Sequence, residues 1–324
     1  MKFVLDPHEP VVVIILTLVC SYWCLIQESF AAERGKERAR IALSAKSLAY
    51  LDVFAAHEKG IYRKYGLESE IIIMPPALSM VALQAGEIDY SFMAGTVVRV
   101  ALKGLPVKLA SLSVKSSFHT LVAKASIKSI AALQGKTIAI SNVGSSDQVV
   151  AEYLLRKRGL DPRKDVVFMS MGGSDTRYQS LLTGKIDATA LSLPHFIMAK
   201  TRGFNALGSA MDVMEMAVVG IGTTTRKIQQ EREQVKKMVR SNLDAMRWIK
   251  NRKDEVLDFM MQFLKLDERT AVESYEIYSR LMVEDVKVLP QAVNTAIEME
   301  GFRGGFFDQV ADPTIVEEVL KEVR

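Results

Sequence analysis

A pattern of thirteen residues occurs twice in this chain, at positions 83–95 and 181–193. The first copy is LQAGEIDYSFMAG and the second is LLTGKIDATALSL, so both contain L-x-x-G-x-I-D followed by a short apolar run. A glycine at the end of a helix adopts a positive φ angle more easily than other residues, so each copy predicts a helix end followed by a strand. One copy is commonplace in α/β proteins, but two copies in the same context predict two similar lobes.

Strand and helix patterns alternate around both copies, which predicts parallel βαβ units and an α/β fold. Two stretches, 117–126 and 212–225, are predicted to cross between the lobes, and the chain from 226 onward is predicted to be mainly helical. We expect strands at 39–45, 67–74, 88–95, 135–141, 165–171 and 186–193, and helices at 47–66, 75–87, 144–160 and 172–185. The predicted division is 1–32 for a leader, 33–120 and 214–324 for the two parts of lobe 1, and 121–213 for lobe 2.

The leader carries the signs of export. Residues 11–26 are almost continuously apolar, and small residues at Ser29 and Ala31 suit cleavage after Ala31 or Ala32. This pattern is typical of a secretory signal peptide and predicts a periplasmic or extracellular location. The alternative is a membrane anchor that is retained, because the apolar run is rather long for a signal peptide.

The two cysteines of the chain, Cys20 and Cys24, both lie in the leader. They follow Val19 and Trp23, whereas a lipid-anchoring motif needs a small residue before its cysteine. The mature chain is therefore expected to have no disulfide, cysteine nucleophile or cysteine metal site. Removal of residues 1–31 changes the net charge from +4 to +6, which suits anionic small molecules. Acids and bases are interspersed, so no nucleic acid partner is expected.

Signatures of catalysis are not found in the sequence. His57 has no second histidine four residues later, as a zinc-protease helix requires, and no phosphate-binding P-loop occurs. The stretch GIGTTT, at 220–225, has only two of the three glycines of a dinucleotide-binding loop. His57 and His119 are expected to be ordinary hydrogen-bonded histidines. We therefore expect no cofactor, no metal and no enzyme activity.

Polar residues begin helices directly after four predicted strands, at 44–50, 94–96, 143–147 and 172–177. Ligands of open α/β sheets bind beyond the carboxyl ends of the strands, where helix N-termini present free N–H groups. Each of these polar residues could instead serve only as a helix cap. Their convergence on one cleft would favour a ligand site.

Several motifs together resemble one known family. The segments 49–72 (AYLDVFAAHEKGIYRKYGLESEII) and 129–166, with both copies of the repeat, are similar to nitrate/sulfonate/taurine-type substrate-binding proteins of ABC transporters. That superfamily, the type II periplasmic binding proteins, also includes proteins that bind thiamine-pyrimidine precursors. The resemblance covers residues 39–200 well and the helical tail loosely.

The resemblance implies two lobes that are joined by two crossovers and close on a small molecule by a hinge motion. It also implies ligand contacts at the loops already singled out, although Asp147 weakens the expectation of an anion. Some members of the pyrimidine-precursor branch are enzymes that use a cysteine-rich segment, which the mature chain lacks. The residues implied in ligand binding are Lys46, Ser47, Tyr50, Gly95, Thr96, Ser145, Ser146, Asp147, Pro194 and His195.

The sequence thus predicts an exported solute-binding protein that captures a small polar or anionic organic molecule and delivers it to an ABC transporter permease. A monomer is expected. Two alternatives stay open at this point. One is an enzyme of the same fold that acts on a small heterocyclic or aromatic metabolite, and the other is a membrane-tethered ligand sensor.

Overall fold

The computed structural model describes residues 37–323, and the predicted leader, 1–32, lies outside them. The strands are β1 (Glu37–Leu43), β2 (Leu67–Ile73), β3 (Tyr90–Met93), β4 (Val107–Leu109), β5 (Thr120–Ala123), β6 (Thr137–Ile140), β7 (Val167–Ser170), β8 (Ala188–Leu191), β9 (Asn205–Ser209) and β10 (Val219–Thr224). The helices are α1 (Leu51–Glu58), α2 (Ile61–Lys64), α3 (Pro76–Ala85), α4 (Ala94–Leu102), α5 (Ser146–Lys157), α6 (Ser174–Leu182), α7 (His195–Thr201), α8 (Thr225–Gln230), α9 (Arg232–Asn251), α10 (Lys253–Leu264), α11 (Glu268–Leu281), α12 (Pro290–Met299), α13 (Phe307–Val310) and α14 (Thr314–Glu322).

The strands form two five-stranded sheets with the same plan. Their orders are β2-β1-β3-β10-β4 and β7-β6-β8-β5-β9. In each sheet four strands run in the same direction, and the fourth position in the order is filled by a strand antiparallel to them, β10 or β5. Because β10 returns to the first sheet after the second sheet is complete, the chain crosses twice between the lobes. The predicted two-lobed α/β fold is therefore confirmed, while the residue-level lobe boundaries stay a prediction.

The repeated glycines end helices at the same place in the two lobes. Gly86 follows α3 with φ of 75°, and Gly184 lies two residues beyond α6 with φ of 72°. These are left-handed angles at which a side chain is strained. The strands β3 and β8 begin four residues after the respective glycines. The predicted helix-to-strand corners are therefore present in both lobes.

The repeated aspartates clamp neighbouring strands in both lobes. The Asp89 carboxylate accepts the backbone N–H of Arg40 in β1 at 2.9 Å, and the Asp187 carboxylate accepts that of Thr137 in β6 at 3.1 Å. Each also forms an ion pair, Asp89 with the Arg40 side chain at 3.0 Å and Asp187 with Lys124 at 2.9 Å. Burial alone would raise the pKa of both carboxyls, but these donors lower it. The aspartate of each repeat thus connects two neighbouring strands of its lobe in the same way.

The chain after β10 is helical, as predicted, and packs mainly on the first lobe. The longest helix, α9, lies against α1 and α14 and buries an apolar stripe that includes Val235, Met238 and Met246. Its opposite face carries the interspersed charges seen in the sequence. No helix within residues 37–323 is long and apolar enough to span a membrane.

The two glycines of the GIGTTT stretch lie in β10 and permit close packing. A Cβ atom on Gly220 would stand 2.9 Å from the Leu112 Cα and closer still to the Ser111 carbonyl oxygen. A Cβ atom on Gly222 would overlap the Val97 side chain of α4. These two glycines therefore serve the packing of strand β10.

We expect Gly220→Ala to lower the free energy of unfolding by about 1–3 kcal/mol, because the new methyl group meets backbone that cannot swing aside. Gly208→Ala in β9 is the matched control, since its Cβ atom would meet only side chains, those of Leu154 at 3.3 Å and Ile130 at 3.6 Å. Urea unfolding of both variants measures the difference. Equal stability of the two variants would contradict the close packing of β10.

Candidate ligand-binding site

The predicted ligand residues lie at the carboxyl ends of strands in both lobes. We call this side of each sheet its carboxyl edge and the opposite side its amino edge. In the first lobe, Lys46, Ser47 and Tyr50 follow β1, and Gly95 and Thr96 lie in the first turn of α4, directly after β3. In the second lobe, the residues after β6 and β8 are Ser145, Ser146, Asp147, Pro194 and His195.

The side chains after β1 already contact protein groups. The Ser47 hydroxyl accepts a backbone N–H at 3.3 Å and caps the short 3₁₀ turn 48–50. The Tyr50 hydroxyl lies 2.8 Å from the Ser44 hydroxyl, and burial raises its pKa. The Lys46 ammonium stands 3.9 Å above the centre of the Phe263 ring, which is close enough for a cation–π contact. Lys46 is exposed, so its ammonium remains accessible to a ligand.

The start of α4 brings the second crossover close to the first lobe. A Cβ atom on Gly95 would lie 3.2 Å from the Ala217 carbonyl oxygen, so the glycine makes room for the crossover backbone. Thr96, beside it, is partly exposed, and its hydroxyl forms no hydrogen bond with the described residues. Of these two residues, Thr96 is the one with a side chain to offer a ligand.

Asp147 lies in a buried ion pair with Arg177. Its carboxylate accepts the Ser141 backbone N–H at 2.6 Å and the Ser141 hydroxyl at 2.5 Å, and it stands 3.3 Å from the Arg177 guanidinium. Both side chains are only 2–3% exposed. Burial alone would raise the pKa of the Asp147 carboxyl, but His119 in its protonated form, the Arg177 guanidinium and the Ser141 bonds lower it. The carboxylate is thus satisfied by protein groups and holds the start of α5 in place.

Arg177 forms hydrogen bonds with several segments at the carboxyl edge of the second sheet. Its guanidinium donates to the carbonyl oxygens of Gly172 and Ala190, at 2.5 and 3.1 Å. It also donates to the hydroxyls of Ser174 and Thr189, at 3.3 and 3.1 Å. Burial lowers its pKa, while Asp147 opposes that effect. The Arg177 guanidinium therefore interacts with protein groups, and its role in the site is to position the ends of strands.

His119 stands beside this ion pair. Its Nδ1 atom lies 2.7 Å from the Ser117 hydroxyl. Burial lowers the pKa of His119 to about 4, with Arg177 adding to the effect and Asp147 opposing it. The imidazole is consequently neutral at pH 7. His57 makes a similar bond, from Nδ1 to the Ser69 hydroxyl at 2.8 Å, so both histidines are hydrogen-bonded as predicted.

Tyr178 and His195 leave two buried polar atoms unsatisfied at the end of β8. The centres of their rings are 5.7 Å apart, and His195 begins α7, after the cis peptide bond of Pro194. Neither the Tyr178 hydroxyl nor the His195 Nδ1 atom has a hydrogen-bond partner among the described residues. Burial lowers the pKa of His195, and the nearby charge of Asp175 opposes that effect. Eight other described residues also have a buried polar atom without a partner, so this pair is singled out by its position at the carboxyl edge of the second sheet.

The Ser145 hydroxyl is a third buried polar atom of the second lobe that has no hydrogen-bond partner in the described chain. Ser145 precedes α5 in the cap position, yet its side chain caps no helix N–H. The neighbouring Ser146 is exposed. Ser145 thus does not act as the cap of α5, but its hydroxyl lies near the Asp147 carboxyl and helps to lower the pKa of that group.

The structure brings some predicted residues together and leaves others apart. Asp147 and His195 belong to one cluster in the second lobe, which Arg177, Tyr178 and His119 complete. The predicted set did not contain those three residues, although Arg177 closes the polar stretch 172–177 and Tyr178 follows it. No described contact joins this cluster to Lys46, Ser47 and Tyr50 in the first lobe.

A groove of about 450 Å³ separates the lobes beside the second crossover. Tyr153 of α5 forms one wall, and α12 of the first lobe forms the other with Gln291, Thr295 and Glu298. None of the predicted ligand residues lines it. Within residues 37–323, no group of three or more His, Cys, Asp or Glu side chains is placed to hold a metal ion.

The chain belongs to the NMT1/THI5-like family. The model of that family matches residues 49–256, which is more than half of the chain. This confirms the resemblance to the substrate-binding proteins of the nitrate/sulfonate/taurine type and their thiamine-precursor relatives. A comparison with curated proteins found no match.

Solved structures share the fold over almost the whole chain. A protein of Bordetella bronchiseptica RB50 has a TM-score of 0.77 at 17% identity, covering 89% of this chain and 98% of its own. The alkanesulfonate-binding protein SsuA of Xanthomonas axonopodis pv. citri, bound to MOPS, has a TM-score of 0.68 at 15% identity, covering 88% and 97%. The desulfurization enzyme DszB has a TM-score of 0.62 at 14% identity, covering 89% and 100%. At these identities the likeness establishes the fold, which both binding proteins and an enzyme use.

Proposed function

We propose that the protein is an exported solute-binding protein that captures a small polar or anionic organic molecule between its lobes and delivers it to an ABC transporter permease. The observation that carries this proposal is the pair of unsatisfied buried atoms on Tyr178 and His195. They lie at the carboxyl edge of the second sheet, where ligands of such sheets bind. A bound molecule supplies the missing hydrogen bonds.

The contacts favour recognition by hydrogen bonds on the second-lobe side. Arg177 is neutralised by Asp147 and bonded to four protein groups, so the ligand meets the Tyr178 hydroxyl, the His195 ring and the Ser145 hydroxyl instead. These hydrogen-bonding side chains suit a neutral polar group of the ligand, or an anionic group that is bound on this side without a positively charged side chain. On the first-lobe side, Lys46 and Thr96 offer an ammonium and a hydroxyl.

Closure of the lobes is the proposed mechanism. A ligand that bonds to both lobes favours the closed form by the difference between its affinities for the closed and open forms. The closed form then docks on the permease and releases the molecule there. The cluster described above offers hydrogen-bonding groups with which a small molecule can be held, as transport requires.

We expect Tyr178→Phe to weaken ligand binding by about tenfold, because it removes one hydrogen bond of about 1–2 kcal/mol. The free energy of unfolding of the empty protein should not fall, since the hydroxyl has no protein partner to lose. Isothermal titration with the compound that co-purifies with the protein measures the affinity, and urea unfolding measures the stability.

Tyr278→Phe is the matched control. Its hydroxyl is also buried without a described partner, but it belongs to α11, and its ring stacks on Phe118 with the ring centres 5.7 Å apart. This variant should bind the compound as the wild type does. Equal affinities of the wild type and Tyr178→Phe would remove Tyr178 from the proposed site.

A further inference from the structure

Charge is divided unevenly between the two lobes. Residues 120–213, which contain every strand of the second sheet, hold twelve lysines and arginines against seven acids, a net charge of +5. The rest of the described chain, 37–119 and 214–323, holds 26 bases against 27 acids, a net charge of −1. The excess positive charge of the described protein thus belongs to the second lobe.

Eleven of these twelve bases lie at the amino edge of the second sheet, and only Arg177 lies elsewhere. They occupy the segments 124–136, 156–166, 183–187 and 200–204, which connect to the edge where the parallel strands begin. Only three acids, Asp161, Asp165 and Asp187, share these segments. We call this surface the basic edge. It is opposite to the carboxyl edge, where the candidate ligand site lies.

Most bases of the basic edge have no acidic partner. Three of the eleven form ion pairs, Lys124 with Asp187, Arg156 with Glu152, and Lys164 with Asp161. The other eight are exposed and form no ion pair with any described residue. They are Lys128, Lys136, Lys157, Arg158, Arg163, Lys185, Lys200 and Arg202.

Helix ends account for little of this excess. Helices of the second lobe end at the basic edge, and bases near helix C-termini are favoured by the helix dipole. Helices of the first lobe end at the amino edge of the first sheet in the same way. The corresponding segments there, 57–66, 84–89, 101–106 and 225–231, carry six bases and four acids, compared with eleven and three. The same backbone plan therefore does not require such a charge.

We propose that the basic edge contacts the surface of a membrane that contains anionic phospholipids. Juxtaposed lysines and arginines are each attracted to such a surface, and flexible side chains from four separate segments suit an array of mobile headgroups. Val167, which begins β7 at this edge, is 58% exposed and adds an apolar contact. Because the candidate ligand site lies at the opposite edge, the contact leaves it open.

Nucleic acid is the less fitting polyanion. Proteins that bind single strands interleave bases with aromatic side chains on which nucleobases stack. The four segments contain one aromatic residue, Phe204, and it packs on the hydrophobic core. The basic edge therefore lacks a stacking platform among its residues.

Sedimentation of the full chain with vesicles tests the proposal. The vesicles are phosphatidylcholine alone, or phosphatidylcholine with about 30 mol% phosphatidylglycerol, in about 0.1 M and about 0.5 M NaCl. We expect binding at least tenfold tighter to the anionic vesicles at low salt, and loss of that preference at high salt. Binding to the neutral vesicles records any contribution of the apolar leader.

Two triple variants with the same change of net charge locate the contact. Lys157→Glu/Lys185→Glu/Lys200→Glu should lose the preference for anionic vesicles, whereas Lys103→Glu/Lys265→Glu/Arg303→Glu, on exposed positions of the first lobe, should keep most of it. Thermal unfolding confirms that both variants are folded. Equal binding of the wild type to neutral and anionic vesicles would overturn the proposal and point to an acidic protein partner. Equal losses in the two variants would also overturn it, because net charge alone would then explain the binding.

Discussion

Replacing Asp147 by alanine is expected to lower the free energy of unfolding by about 3–5 kcal/mol, because it leaves the Arg177 guanidinium buried without its counter-charge. Both partners are only 2–3% exposed, so water cannot take the place of the missing carboxylate. The variant also loses the two hydrogen bonds from Ser141 that hold the start of α5. Urea unfolding of the variant and the wild type measures the loss.

Two further variants separate the buried pair from ion pairs in general. Arg38→Ala breaks an exposed pair with Glu70, whose side chains are 68% and 49% exposed, and should cost at most about 1 kcal/mol. Asp147→Ala/Arg177→Met removes both buried charges and should be more stable than Asp147→Ala alone. If Asp147→Ala cost no more than Arg38→Ala, the ion pair would not organise the carboxyl edge as described.

The second large effect that we expect is a loss of folding stability at acidic pH. The pKa of His119 in the folded protein is about 4, below its ordinary value of about 6.5. Between these two pH values the unfolded chain binds a proton at this residue that the folded chain does not, so the folded protein loses stability as the pH falls. His119 is half-buried, and we expect a loss of about 2–3 kcal/mol between pH 7 and pH 4.

Unfolding by urea at a series of pH values checks this expectation. His119→Asn cannot take up the proton, so its stability should fall less than that of the wild type over the same range. His57→Asn removes the similar bond between a histidine ring and a serine hydroxyl, and so controls for the loss of that bond. Parallel pH profiles of the wild type and His119→Asn would assign the acid sensitivity to other groups.

Much of the fold follows from short patterns in the sequence. Gly86 and Gly184 end helices because their positive φ angles suit glycine, and the aspartates three residues later clamp strands by local hydrogen bonds. Such features depend on residues that are close in the chain or in adjacent strands, so a repeated motif predicts them. The two crossovers were also predictable, because one follows the first set of alternating strands and helices and the other follows the second set.

The candidate site was less predictable, since its chemistry depends on contacts across the second lobe. The sequence shows Asp147 at a helix start, but not that Arg177, thirty residues later, neutralises it. Nor does it show that the hydroxyl of Tyr178 has no partner, because that depends on the packing of α6 against α7. Composition and spacing therefore indicate where a ligand could bind, whereas the available donors become apparent only in the folded chain.

Native mass spectrometry of the protein, purified gently from the cell that produces it, tests the central claim most directly. We predict one small molecule bound noncovalently to each chain, released unchanged when the chain unfolds and able to rebind to the empty protein. Recovery of a chemically converted compound after rebinding would contradict the proposed transport function and favour an enzyme. An empty protein that takes up no small molecule from an extract of the same cells would contradict ligand capture itself.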